Sequence, residues 1–232
     1  MKAQRAVIMA AGFGKRLLPL TAVTPKPMLS LNGRRFIDTS LDALLAAGIE
    51  EIYIVRGHLA HRFDELLADY PMIRFIENPD YASANTISSV YYAREHLQNA
   101  YLLEADLIVN DPAIYENNPL ASNYLGIPNY GPSDEWLMWP DEKGRIRKVA
   151  VGGQDGWRLY GVSFWSKTDG AQLAADVERL YEAGERDLYF DNVVFHRFPE
   201  HYSLRLRPCC EGAIREIDTF AEYRAAGGDC GE

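Results

Sequence analysis

A short, largely apolar run, Arg5–Ala10, delivers the chain straight into a glycine-containing loop, Ala10-Ala11-Gly12-Phe13-Gly14-Lys15-Arg16. That junction constrains the fold more than any other feature. An apolar run of this length bounded by glycines reads as a buried strand. The alternation then continues. Ile37, Leu41, Leu44 and Leu45 recur at helical spacing with Gly48 as the stop, and Glu51–Val55 is a strand. Residues 59–69, with Phe63, Leu66 and Leu67, suit a helix, and Met72–Ile76 a strand. Ile87–Leu97 follows as a helix and Tyr101–Ala105 as a buried strand. Strands that alternate with helices imply parallel βαβ units, hence an α/β fold.

The second half changes character. Residues 117–160 carry Pro119, Pro128, Pro132 and Pro140 among short strand-like runs, and Asp141–Gly144 reads as a hairpin turn. Tyr160–Trp165 is a strand. Leu173, Val177, Leu180 and Tyr181 mark a helix. Residues 202–207 and 213–217 are closing strands before a helix at 219–226. The expectation is a doubly wound half followed by a mixed sheet, without repeats.

Of 232 residues, 24 are basic and 33 acidic, a net charge of −9. This balance argues against non-specific nucleic-acid or membrane binding but leaves room for a locally basic pocket. The first apolar run is too short for a signal peptide, and no run of about 18 apolar residues offers a membrane span. Three cysteines, Cys209, Cys210 and Cys230, give neither a disulfide framework nor metal-finger spacing, which fits the reducing cytoplasm.

Small residues in the loop let backbone N–H groups approach phosphate oxygens, and Lys15 and Arg16 add charge. The pattern is neither a P-loop nor a full dinucleotide fingerprint, and on its own it equally suits a tight strand-to-helix turn. The ungapped stretch AAGFGKRLLPLTAVTPKPMLSLNG closely resembles the opening of the nucleotidylyltransferase superfamily. That family includes sugar-phosphate nucleotidylyltransferases and choline-phosphate cytidylyltransferases. The resemblance implies a Rossmann-like nucleotidyltransferase fold, a mixed, mostly parallel central sheet flanked by helices. Residues 1–232 then form one domain, 1–110 the nucleotide-binding half and 111–232 the acceptor-binding half. It also implies that Lys26, between Pro25 and Pro27, reaches phosphate at the reacting centre. Pro27 biases Lys26 towards an extended backbone, and so stiff a segment can aim a side chain.

Nucleotidyl transfer piles charge on phosphate, which suits Mg²⁺, a hard cation needing one or two protein carboxylates. Asp106 ends the strand YLLEAD, where ligands of open α/β sheets collect. Asp218 ends AIREID, with Glu216 two residues earlier on the same face. An aspartate in that place is also a natural helix cap. The resemblance lays the family's metal pair on Asp106 and Asp218, with Glu216 beside the metal or against a cationic substrate.

The Glu-Lys-Pro motif of sugar-phosphate enzymes is absent. The pieces NPDYASANTISSVYYARE, DEWLMW, LYGVSFW, ERDLYFDN and IREIDTFAEYR instead resemble bacterial choline-phosphate cytidylyltransferases. Quaternary ammonium is recognised by aromatic faces plus negative charge. Trp136, Tyr189 and Asp191, with Trp165 and Glu216, are the candidate acceptor contacts, a buried aromatic core being the rival explanation. The backbone of Ala10, Ala11, Gly12, Phe13 and Gly14, with His58, Asn85 and Ser89, is the candidate nucleotide site. His61, His96, His196 and His201 read as structural or surface residues. Two departures stand out: Asn85-Thr86 replaces the family's double asparagine, and Phe190 replaces its usual tryptophan.

The implied activity is Mg²⁺-dependent transfer of CMP from CTP to phosphocholine. The acceptor is thus a small zwitterion, with no nucleic acid and no membrane insertion. The alternatives are transfer to 2-aminoethylphosphonate or phosphoethanolamine, a sugar-1-phosphate nucleotidylyltransferase, and a non-catalytic regulatory nucleotide-binding module.

Overall fold

A computed structural model describes residues 1–228; Cys230 lies outside them. In chain order the strands are β1 (Arg5–Ala10), β2 (Ser30–Leu31), β3 (Arg34–Arg35), β4 (Glu51–Arg56), β5 (Arg74–Glu77), β6 (Ala100–Glu104), β7 (Leu107–Val109), β8 (Asn123–Pro128), β9 (Pro132–Pro140), β10 (Ile146–Gln154), β11 (Trp157–Trp165), β12 (Arg205–Pro208) and β13 (Ile214–Glu216). The α-helices are α1 (Phe36–Ala46), α2 (Ile87–Tyr92), α3 (Lys167–Glu182), α4 (Phe190–Asn192) and α5 (Phe220–Ala225).

Nine strands form one mixed sheet in the order β10-β9-β11-β6-β1-β4-β5, with β8 joining β11 and β12 joining β8. β1 runs parallel to both β4 and β6, and β4 parallel to β5. The acceptor-side strands β9, β10 and β11 pair antiparallel. β1 sits in the middle because its side chains alternate onto two cores. Ala6, Ile8 and Ala10 face α1, with Ile37 and Leu41. Val7 and Met9 face α2 and α3, with Val90, Leu173 and Val177. A strand covered on both faces reads as unbroken apolar sequence, which is why Arg5–Ala10 is so legible. The chain leaves β1 for β4 and β5 on one side, then returns to β6 on the other. The carboxyl ends of β1 and β6 therefore open at a topological switch point, the place where α/β sheets bind ligands.

Local expectations needed adjusting in three places. The segment expected as a helix at 59–69 is a 3₁₀ helix, Ala60–Ala68. Phe63 and Leu66, three apart, are buried, while Leu67 is 40% exposed. A three-residue period suits that pattern better than 3.6. The helix expected to reach Leu97 ends at Tyr92, and a 3₁₀ turn over Arg94–His96 carries Leu97 into the core. The segment after Tyr189 forms α4 and a π-helical turn, Val193–Arg197, neither of which the sequence announced. The Asp141–Gly144 hairpin turn between β9 and β10 is present, with Gly144 at φ 73°.

α3 lies so close to the end of α2's trailing turn that a Cβ on Gly170 would stand 2.1 Å from the Leu97 carbonyl oxygen. Backbone cannot yield as a side chain can. Gly170→Ala is therefore expected to cost about 3 kcal/mol, at the upper end of overpacking penalties. Denaturant unfolding measures it, and an unchanged midpoint would show the helix contact to be soft.

Candidate active site

The loop leaving β1 is shaped by one glycine. Gly14 adopts φ 61°, and a Cβ there would meet Thr21 Cγ2 at 3.0 Å and Lys26 Cβ at 3.1 Å. Gly12 is the opposite case: nothing lies within 4 Å of its Cβ position, so its backbone faces open space. Thr21 Oγ1 donates to the Gly14 carbonyl (3.0 Å). His58 braces the loop from below. Its amide donates to the Ala11 carbonyl (3.1 Å), its Nε2 donates to the Thr21 carbonyl (2.8 Å), and its ring packs on Phe13. His58 thus acts on the loop's shape and lines none of the hollows described below.

Lys26 opens a 3₁₀ turn, Lys26–Met28, in place of the extended segment expected of it. Pro25 is the extended residue (φ −54°, ψ 143°), and Pro27 is tolerated because a first-turn N–H has no helical partner to lose. The lysine is only 7% exposed. Its Nζ donates to Asp106 Oδ2 (2.6 Å) and to Asp218 Oδ1 (2.7 Å), and Arg16 also reaches Asp218 Oδ1 (3.0 Å). Burial alone would depress the ammonium, but Asp106 and Asp218 outweigh it and raise its pKa.

The ribbon of β7 and β13 brings the two acids together. Glu216 stands opposite Leu107, so the residues that flank the ribbon's end, Asp106 and Asp218, converge on one point. Asp218 is free for this because Thr219, one residue on, caps α5. Thr219 Oγ1 accepts from the Glu222 amide, and Glu222 Oε2 accepts from the amides of Asp218 and Thr219. Two carboxylate oxygens within hydrogen-bond reach of one ammonium lie close enough to share one ion. Hard oxygens in that number suit Mg²⁺ bound partly through phosphate. No group of three or more metal-type side chains occurs among the described residues.

Three adjoining hollows of about 260, 450 and 120 Å³ surround this centre. Gly12, Gly14, Arg16, Lys26 and Asp106 line them, together with Asn85 and Ser89. Asn85 Oδ1 accepts from the Thr86 amide, and Ser89 Oγ from Asn78, so both are fixed before any ligand arrives. A larger hollow of about 490 Å³ beside the β2–β3 hairpin touches none of the expected site residues.

On the acceptor side, Trp136 from β9 meets Tyr189 (ring centroids 6.4 Å) and His196 (5.8 Å). His196, read from sequence as structural or surface, is therefore the third ring of this wall; its helical offset from Tyr189 only becomes visible once the π-turn is known. Tyr189 is 48% exposed and lines the hollow containing Lys15 and Asp218. Trp165 does not belong here. It is fully buried, with its indole N–H donating to Ser163 Oγ (2.9 Å) and its ring against Tyr124 and Tyr202. Core packing is its role, and no ligand can reach it. Thr86 Oγ1 accepts from the Phe190 amide (3.0 Å), tying the nucleotide side to α4.

Asp191 Oδ1 is buried without a hydrogen-bond partner among the described residues, and so is the Tyr124 hydroxyl. The two influence each other outside hydrogen-bonding geometry. Burial pushes Asp191 up to about 7, with Tyr124 opposing. Glu216 is also pushed up to about 7, by desolvation and then by Asp106 and Asp218, with Lys26 opposing, although its side chain keeps contact with solvent. Glu104, unremarked in the sequence, lines the cleft beside Lys26 and Asp106. Burial raises it well above the carboxylate range, and Asp106, Asp191 and Glu216 add to that.

Comparison with known proteins agrees with this geometry. The family model described as "Nucleotidyl transferase" matches residues 5–122. A 2-aminoethylphosphonate cytidylyltransferase of Lancefieldella rimae is 37% identical over 95% of this chain and 90% of its own. A choline-phosphate cytidylyltransferase of Streptococcus pneumoniae is 31% identical over 95% of each. The solved structure of a CTP:phosphocholine cytidylyltransferase from Streptococcus pneumoniae superposes with a TM-score of 0.90 at 30% identity, covering 97% of both chains. With the match spanning the glycine loop, strand β6 and Asp106 beyond its end, the chain belongs to the nucleotidyl transferase family and is a nucleotidyltransferase.

Proposed function

We propose that the protein transfers CMP from CTP to a small zwitterion with a phosphonate or phosphate at one end and an ammonium at the other. One observation carries this reading: Lys26, buried at the mouth of the glycine loop, is shared by Asp106 and Asp218. The relatives named for cytidylyl transfer span nearly the whole chain, which supports CTP as the donor. The more similar of the two is named for 2-aminoethylphosphonate. Phosphocholine is the second reading, favoured by the Trp136–Tyr189 ring pair.

The acceptor's phosphonate or phosphate is already an oxyanion near neutral pH, so no general base is required. Its oxygen attacks the α-phosphorus of CTP. A P–O bond forms on one side while the bond to the bridging oxygen breaks on the other, and pyrophosphate leaves with that electron pair. The chain contributes positioning and charge. Gly12 and its neighbours offer amides to the triphosphate, with Lys15 and Arg16 beside them. Lys26 leaves the carboxylates for the α-phosphate and the incoming oxygen. Asp106 and Asp218 would hold Mg²⁺, which would supply charge neutralisation on the phosphates. The free cysteines Cys209 and Cys210 suit a reducing cytoplasm.

Lys26→Ala and Asp106→Asn are each expected to lower kcat by about 100-fold or more, with circular dichroism unchanged. Pyrophosphate release from CTP and acceptor measures it; near-normal turnover in either variant removes that residue from the chemistry. A non-catalytic regulatory module would release none even as wild type. Chelation of divalent metal should abolish turnover, and Mg²⁺ should restore it. Gly14→Ala forces a side chain into left-handed backbone, costing about 1–2 kcal/mol. CTP affinity by calorimetry is expected to drop roughly tenfold where the free loop relaxes out of its strained shape and CTP must restore it, and an unaltered Kd would show that the free and bound loops carry the same strain.

A further inference from the structure

Glu104 closes strand β6 directly opposite Gly161 of β11, one step beyond the pair Leu103–Val162. The glycine leaves the room that the glutamate occupies. A Cβ at position 161 would lie 2.5 Å from Glu104 Oε2 and 2.6 Å from its Cγ and Cδ. The glutamate is thereby laid across bare backbone, and it lines the cleft together with Lys26, Thr86 and Asp106. Among the described residues it has no ion pair and no hydrogen-bond donor. The cation nearest to hand, Lys26, is already shared between Asp106 and Asp218.

Two further polar groups in the same region are unsatisfied. Asp191 Oδ1 is buried without a donor, and Tyr124, 1% exposed, has a hydroxyl with no partner and faces Asp191. Buried acceptors left unpaired are expensive. Asp106, Asp191 and Glu216 also set negative charge against Glu104. A cation that brings hydrogen-bond donors relieves both costs at once. A trimethylammonium group brings charge but no N–H; a primary ammonium brings three.

We infer that Glu104, seated over Gly161 and backed by Asp191 and Tyr124, reads the ammonium end of the acceptor and selects a primary ammonium over a quaternary one. This rests on the transferase reading above and deepens it: the acceptor class becomes an aminoalkyl phosphonate or phosphate with an unmethylated amine. The Trp136, Tyr189 and His196 rings then supply a wall for the alkyl chain, while the carboxylates supply the discrimination.

The test is pyrophosphate release from CTP by the wild-type protein with 2-aminoethylphosphonate and its N-methyl, N,N-dimethyl and N,N,N-trimethyl analogues. The value of kcat/KM is expected to fall with each methyl and by at least about 100-fold across the series, since a site built to hydrogen-bond an N–H rejects an analogue lacking it. Glu104→Gln keeps the shape and removes the charge. It should raise KM for the primary amine roughly tenfold or more and flatten the methyl series. Equal turnover of primary and trimethylated acceptors by the wild type overturns the inference and leaves cytidylyl transfer standing. A Glu104→Gln protein with an unchanged KM for the amine does the same. Absence of pyrophosphate release with every acceptor overturns the transferase reading and the inference together. The methyl series requires no variant, so the outcome does not depend on Glu104→Gln folding.

Discussion

Everything at the centre of this protein depends on a single ammonium shared by two carboxylates. Lys26, Asp106 and Asp218 come from three distant stretches of chain, and their meeting fixes the relation between the glycine loop, the end of β6 and the β7–β13 ribbon. A buried lysine is tolerable only because both acids hold its charge. The same contact gathers two acids and a cation at one point between the glycine loop and the end of β6.

Around this centre the sheet divides labour. The parallel strands β5, β4, β1 and β6 present the open ends of β1 and β6, as a doubly wound sheet must. The antiparallel strands on the other flank, with α4 and its π-turn, bring Trp136, Tyr189, His196 and Asp191 to one region. The Thr86–Phe190 hydrogen bond joins the two flanks.

Much of this was legible in the residue string, for identifiable reasons. β1 could be read because burial on both faces leaves no polar interruption; the left-handed backbone at Gly14 could not, because small residues in that loop were equally explained by close approach to phosphate. Asp218 looked like a helix cap; the string could not show that Thr219 takes that role through Glu222. Trp165 stood in a motif beside aromatics at the acceptor site, yet period two turns its side chain into the core, against Tyr124 and Tyr202. His196 was set aside because the π-turn that aims it at Trp136 has no sequence signature. Glu104 was passed over because a carboxylate inside YLLEAD reads as the half-exposed end of a strand; what singles it out is Gly161, fifty-seven residues away by subtraction of their numbers.

The contact between Glu104 and Gly161 bears on how such a pocket can diverge over evolutionary time. The carboxylate proposed to read the acceptor's ammonium lies against a position that carries no side chain on the neighbouring strand. One methyl group gained at residue 161 would evict the carboxylate without altering any residue that meets the ligand. On the proposed reading, substrate range in descendants of this chain is open to change through a half-buried glycine that lines no hollow, and surveys restricted to cleft-lining residues would miss the switch.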